Sequence, residues 1–254
     1  MTRQVVSMIS RVNENQRRKK SKFPMLRSLT SRFSSVSSSK QWIQRQLSDR
    51  YVTKAQELNF RSRAAFKLIQ IDDRFCFLRP TSTVVDLGCF SGGWSQVALA
   101  RCPNGNVIGL DKVRMDSLPN HTFIQGDITE QATVDSVVSA LNGKPVDVVI
   151  SDMAPAISGH KLDDHDSSIE LSLIACEFVD KVLSPGGWFV IKSFYGPKSA
   201  EFVLYLKSRF RLVRTVKPTA SRSESSEIYY VCAKFKGASK GVKEEVPIDG
   251  GFQS

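Results

Sequence analysis

The stretch "DLGCFSGGWSQVA", residues 86 to 98, follows an apolar run with three glycines and a tryptophan. Such a stretch reads as a strand turning into a helix beneath a bound ligand. A dinucleotide site wants G-x-G-x-x-G, the third glycine letting the helix pack close under a pyrophosphate. Here the glycines are Gly88, Gly92 and Gly93, and the bulky Trp94 follows. The G-K-[ST] of a P-loop is also missing, so both phosphate signatures are absent and a nicotinamide-dependent dehydrogenase is disfavoured. An adenosine without phosphate fits better, and S-adenosylmethionine is the expected ligand. Asp86 closes the first strand; Asp111 closes the second, where an acid is placed to bond ribose hydroxyls. Asp127, ending "FIQGD", is placed to receive an amino group from the adenine edge. A second chemical signal is Lys192 in "WFVIKSF". An amine inside an apolar strand is expensive unless it has partners or work to do.

These residues need a frame, and the apolar runs supply one. Residues 82–88, 106–111, 122–128, 146–154 and 186–194 read as buried strands ending in polar residues. Helical stretches are expected near 94–101, 131–141 and 167–183, the last with Asp163, Asp164 and Asp166 as caps, and another near 199–208. This β-α-β alternation predicts a parallel, doubly wound α/β sheet whose ligands collect at the carboxyl ends of its strands. Two final strands, "FRLVRTVKP" and "SEIYYVCAKFK", are joined by the short "TASRSES", which permits an antiparallel pair but no parallel crossover.

Four further motifs carry a resemblance to a known family: "FRSRAAFKLIQID" (60–72), "SDMAP" (151–155), "FVIKSFYG" (189–196) and "SSEIY" (225–229). With D-x-G-x-x-x-G-G-W, their order and spacing resemble the FtsJ-type (RlmE) ribose 2′-O-methyltransferases over about residues 45 to 236. The resemblance implies a Rossmann-like, S-adenosylmethionine-dependent methyltransferase fold, with a mainly parallel seven-stranded sheet and one antiparallel strand. The family's catalytic tetrad falls on Lys67, Asp152, Lys192 and Glu227. Glu224 is a nearby competitor, but Tyr229 follows Glu227 at the family's distance. The cofactor set comprises Asp86, Gly88, Phe90, Gly92, Gly93, Trp94, Asp111, Asp127 and Asp152. Phe90-Ser91 stands where the family usually has Ala-Pro. No metal is expected: His160 and His165 sit beside three acids without regular ligand spacing, and a capped loop is the expected reading.

In the implied reaction a ribose hydroxyl displaces the donor's sulfur from the methyl group, and an alcohol is a poor nucleophile unless its proton is withdrawn or strongly hydrogen-bonded. Lys192 is the group expected to do this. The substrate implied is RNA, a uridine of large-subunit rRNA in the mitochondrial branch. The alternatives are a tRNA anticodon-loop ribose and a non-catalytic ribosome-assembly factor on the same fold. Trp42, Arg45, Arg50, Lys54, Arg61 and Arg63 are expected to meet RNA phosphates and bases.

Charge and composition place the rest. Of the formal +11, residues 1 to 48 carry +10 and residues 49 to 254 only +1, so the folded part is not globally basic. The front is rich in Arg and Ser, with Glu14 its single acid, the composition of a mitochondrial transit peptide; a disordered basic arm is the other reading. The expected organisation is 1–40 as that segment, 41–236 as the methyltransferase domain and 237–254 as a flexible tail. The five cysteines lack C-x-x-C pairing, which suits a reducing compartment and excludes a disulfide framework. No apolar stretch approaches the roughly 20 residues of a membrane span. A monomer in the mitochondrial matrix is expected.

Overall fold

The computed structural model describes residues 49–237. The expectations for residues 1–40, for Trp42 and Arg45, and for the tail from 238 onward lie outside the described residues. In chain order the elements are α1 (Arg50–Glu57), α2 (Ala65–Phe75), β1 (Thr83–Leu87), α3 (Gly93–Arg101), β2 (Asn106–Asp111), β3 (His121–Gln125), α4 (Gln131–Leu141), β4 (Val146–Ser151), α5 (Lys161–Val182), β5 (Leu183–Phe194), α6 (Ser199–Arg209), β6 (Phe210–Val216) and β7 (Glu227–Phe235).

The seven strands form one sheet in the order β3-β2-β1-β4-β5-β7-β6. The first five pair in parallel, while β7 runs antiparallel to both β5 and β6. Only β7 is reversed, as expected of the Rossmann-like methyltransferase architecture. Every residue of β1 is buried, as a central parallel strand with helices on both faces requires.

Alternation along the strands divides the core in two. Val85, Leu87, Ile108, Phe189, Ile191 and Tyr230 pack beneath α4, α5 and α6. Val84, Val148, Val190, Tyr229, Trp94 and Leu68 pack on the other face, beneath α2 and α3. Fully burying a side chain such as Phe189 contributes about 1.5–3 kcal/mol relative to leaving it exposed. This period of two decides where Lys192 points, because it shares a face with Val190 and so looks toward α2 and α3.

Two helices differ from expectation. The stretch 60–72 reads as one helix in the sequence, but the helix carrying Lys67 begins at Ala65, and α1 precedes it. Helix α5 starts at Lys161, six residues before the expected start. Asp164 lies in its first turn and reaches back to accept hydrogen bonds from the Ser158 backbone N–H (2.6 Å) and hydroxyl (2.8 Å). Those bonds pull its carboxyl below the ordinary range.

Candidate active site and cofactor cleft

Position 192 of β5 pairs with Tyr229 of β7, and Phe194 with Glu227. Antiparallel register thus brings Lys192 and the aromatic residue side by side at the sheet's edge. The Lys192 Nζ donates to the Asp152 main-chain carbonyl and lies 3.2 Å from its Oδ1. The Tyr229 hydroxyl donates to that same Oδ1 at 2.8 Å. Across the Tyr229 ring, with Nζ 5.8 Å from its centroid, lies Lys67 of α2. Its ammonium is 2.7 and 2.8 Å from the two Glu227 carboxylate oxygens. The four tetrad positions therefore come together as two ion pairs joined by one tyrosine.

Lys192 is 9% exposed, and its other described surroundings offer it no anion besides Asp152. An ammonium has three hydrogens, of which Asp152 takes two. The remaining position is free to meet a substrate oxygen, as a donor or, once the proton has left, as a lone pair. Tyr229 is completely buried, and burial first, then the Asp152 and Glu227 charges, push its hydroxyl well above the usual range. It therefore stays a donor that fixes the Asp152 carboxylate. The sequence showed Tyr229 only as a spacing mark; its positioning role follows from pairing with position 192.

On the carboxyl side of β1, β2 and β4 opens a cleft of about 570 Å³, bounded by Gly88, Phe90, Asp111, Asp152 and Met153, with Glu170 of α5 on its far wall. Asp111 caps the glycine turn: its Oδ2 accepts from the Phe90 N–H and its Oδ1 from the Val113 N–H, each at 2.8 Å. Each oxygen retains a lone pair for a ligand hydroxyl. Asp127 stands beside the cleft, paired with Lys112 at 2.7 Å, and its neighbours Gly126 and Ile128 form the wall. The hydrogen bond from Lys112 is the main cause of its lowered pKa.

The remaining nominated residues build the turn from behind. Gly92 takes φ +104° at the start of α3, and Gly93 lies so close to Ser62 that a Cβ would overlap the hydroxyl. Trp94 is buried, donates Nε1–H to the Ala64 carbonyl at 2.9 Å and packs against Tyr229. Asp86 lies beneath the cleft floor with no exposure, accepting from Ser95 Oγ at 2.6 Å.

Two arginines expected to face RNA are engaged within the fold. Arg61 donates to the carbonyls of Asp116 (2.7 Å) and Ser117 (2.9 Å), holding the loop after β2. Arg63 pairs with Asp49 at 2.8 Å and donates to the Ala220 carbonyl. Apart from Asp49, their partners are loop carbonyls, which no residue pattern announces. His165, expected in a capped loop beside three acids, is instead buried in α5. Among the described residues no group of three or more His, Cys, Asp or Glu is arranged to hold a metal.

A family model described as FtsJ-like methyltransferase matches residues 60–235. The chain belongs to the FtsJ-like methyltransferase family. It is similar to the ribosomal RNA large subunit methyltransferase E of Parvibaculum lavamentivorans, 45% identical over 223 residues that cover 84% of this chain and 85% of the relative. The protein of the same name from Maricaulis maris is 45% identical over 201 residues, covering 79% and 71%. Among solved structures, a Plasmodium falciparum protein described as a ribosomal RNA methyltransferase superposes with a TM-score of 0.65 at 38% identity, covering 70% of this chain and 100% of its own.

Methyltransferases of this family are generally S-adenosylmethionine-dependent. The cleft suits such a ligand. Its charged lining is Asp111, Asp152, Glu170 and Lys112, whose ammonium is already paired with Asp127, so the wall is net acidic. That field favours a sulfonium and an ammonium and repels a pyrophosphate.

Gly88 is the turn's most demanding position. It takes φ +72°, and a Cβ there would meet the Met153 Cγ at 2.5 Å and its Cα at 3.0 Å. Gly88→Ala is expected to lower stability by about 2 kcal/mol through strain and overpacking. By displacing Met153 it should also shift the adjoining Asp152 and slow methyl transfer. Denaturant unfolding and single-turnover assays will check the two effects.

Proposed function

We propose that this protein binds S-adenosylmethionine in the acidic cleft and methylates a ribose 2′-hydroxyl of large-subunit ribosomal RNA, at a uridine, in the mitochondrial matrix. The observation that carries the reading is the double duty of Asp152, which walls the cleft and holds the Lys192 ammonium. The donor, when bound, supplies an electrophilic methyl carbon. Lys192 meets the ribose hydroxyl beside it and draws on its proton, while Asp152 and Tyr229 fix the direction of the amine. The Lys67–Glu227 pair completes the polar patch on which the sugar rests. Much of the acceleration comes from holding hydroxyl and methyl in line.

The names of the similar bacterial proteins support the ribosomal substrate, and the Arg- and Ser-rich front, with its single acid, supports the compartment. The test is transfer of labelled methyl from S-adenosylmethionine to an unmodified mitochondrial large-subunit rRNA transcript, followed by nucleoside analysis. Accumulation of 2′-O-methyluridine is expected. Methylation of tRNA alone, or no ribose methylation with intact ribosome assembly, would replace this reading with one of its rivals. A reporter fused to residues 1–40 should enter mitochondria; cytosolic retention would sink the compartment.

A further inference from the structure

On the sheet face opposite Lys192 lies a second cleft of about 570 Å³, between α6 and the strands β6 and β7. Its floor is Tyr230 and Ile228, its wall Thr215, and its rim the loop after β5 with Tyr195. No charged side chain lines it. A phosphate or carboxylate would find no counter-ion there. What it offers is a small-sided slot at Gly196 and Ala200 with Thr215 on one wall.

The Tyr230 hydroxyl is sealed beneath the floor against Ser199, so the residue lends the cleft its surface and no hydrogen-bonding group. The Ser199 oxygen accepts from the Gly196 N–H at 2.9 Å. Thr215, an exposed residue of β6, brings a hydroxyl to the wall.

The rim is held rigidly. His165 of α5 bridges the loop, its Nδ1–H donating to the Phe194 carbonyl at 2.8 Å and its Nε2 accepting from the Lys198 N–H at 3.0 Å. Ser168, one turn along α5, accepts from the Phe194 N–H at 3.0 Å. A Cβ at Gly196 would overlap the His165 ring. This clamp presents Tyr195, 69% exposed, three residues past Lys192 on the same strand end. The Tyr195 N–H in turn binds the Ser226 carbonyl, next to Glu227.

We infer that this second cleft receives a nucleobase of the RNA strand whose ribose is presented to Lys192, stacked on Tyr195 with its polar edge toward the Thr215 hydroxyl. A neutral, planar heterocycle matches an uncharged slot rimmed by an exposed aromatic ring, and single-stranded bases are recognised by stacking on such rings. The inference rests on the RNA reading above. It adds that the nucleotide bound here flanks the methylated one.

The test uses the full chain and a 4-thiouridine-substituted large-subunit rRNA transcript, cross-linked by light and also assayed for methylation. The wild type is expected to cross-link through the peptide spanning residues 195–200. Tyr195→Ala and Ala200→Trp, which removes the stacking ring and fills the slot respectively, should each raise KM for the transcript about fivefold or more. Neither should change S-adenosylmethionine affinity, measured by calorimetry, by more than about twofold. Methylation with no cross-link in that peptide, or with KM unchanged in both variants, overturns the base site and leaves the proposed function standing. A cross-link there without methylation upholds the base site and overturns the ribose chemistry. Neither signal overturns both.

Discussion

Lys192→Ala is expected to reduce the single-turnover rate of RNA methylation by about 10²–10⁴-fold, the range spanned by a positioned acid or base. The amine borders the cleft residue Asp152 and keeps a position open toward a substrate, since Asp152 takes two of its hydrogens. S-adenosylmethionine affinity should change little, because the Asp152 carboxylate keeps its hydrogen bond from Tyr229 and its place on the cleft wall. Lys192→Arg sharpens the assignment. A guanidinium orients an oxygen by hydrogen bonding but does not accept a proton in a protein. An arginine variant as inactive as the alanine one assigns proton withdrawal to Lys192, while substantial recovery assigns orientation. A wild-type rate in Lys192→Ala would remove the residue from the chemistry and return the assembly-factor reading to favour.

The sheet was readable in advance because its strands carry their own signal. "STVVDLG" and "NVIGLD" are short, β-branched and closed by an acid, and they became β1 and β2 with Asp86 and Asp111 at or near their ends. The reversed β7 was readable from the length of one link, since a short loop cannot carry a parallel crossover. Helix α1 carried a weaker signal: Ala55 is its only fully buried residue, and the stripe it forms with Tyr51 and the flanking Leu58 is short and only partly covered. The early start of α5 was hidden because its first turn, Lys161–Asp164, is polar, and His165, just beyond that turn, is buried by contacts distant in sequence. The tetrad was legible only through motif resemblance. Neither propensity nor periodicity places Lys67 against Glu227, 160 residues apart. For Arg61 and Arg63 the sequence shows the charge that suggests RNA contact but hides the partners that engage them within the fold, loop carbonyls and Asp49.

Asp86→Asn is expected to stabilise the protein above neutral pH and to remove a pH dependence that the wild type shows. Asp86 has no solvent exposure, and while Oδ2 accepts from Ser95, Oδ1 meets no donor. Burial, reinforced by the nearby Asp152 and Asp111 charges, pushes its carboxyl up from 3.8 to about 7. The sign follows directly. Between about pH 4 and 7 the folded protein keeps a proton that the unfolded chain has released, so stability falls as pH rises through that window. Over roughly three pH units this amounts to about 4 kcal/mol. Asparagine retains an acceptor for Ser95 and carries no charge, so variant and wild type should be similar near pH 4 and diverge by up to that amount by pH 8. Other carboxylates, Asp127 among them, are lowered and tilt the curve the opposite way at acid pH, so the difference between the two proteins is the quantity to read. Urea unfolding across the pH range measures it, and parallel curves would show that Asp86 is already ionised beneath the cleft. The same proton ties stability to the ligand. Asp86, Asp111 and Asp152 crowd one edge of the sheet, and a cation seated there favours the ionised form of Asp86. Binding of S-adenosylmethionine by the wild type should therefore release protons near pH 6.5, visible as a buffer-dependent enthalpy in calorimetry, and the asparagine variant should lose most of that release.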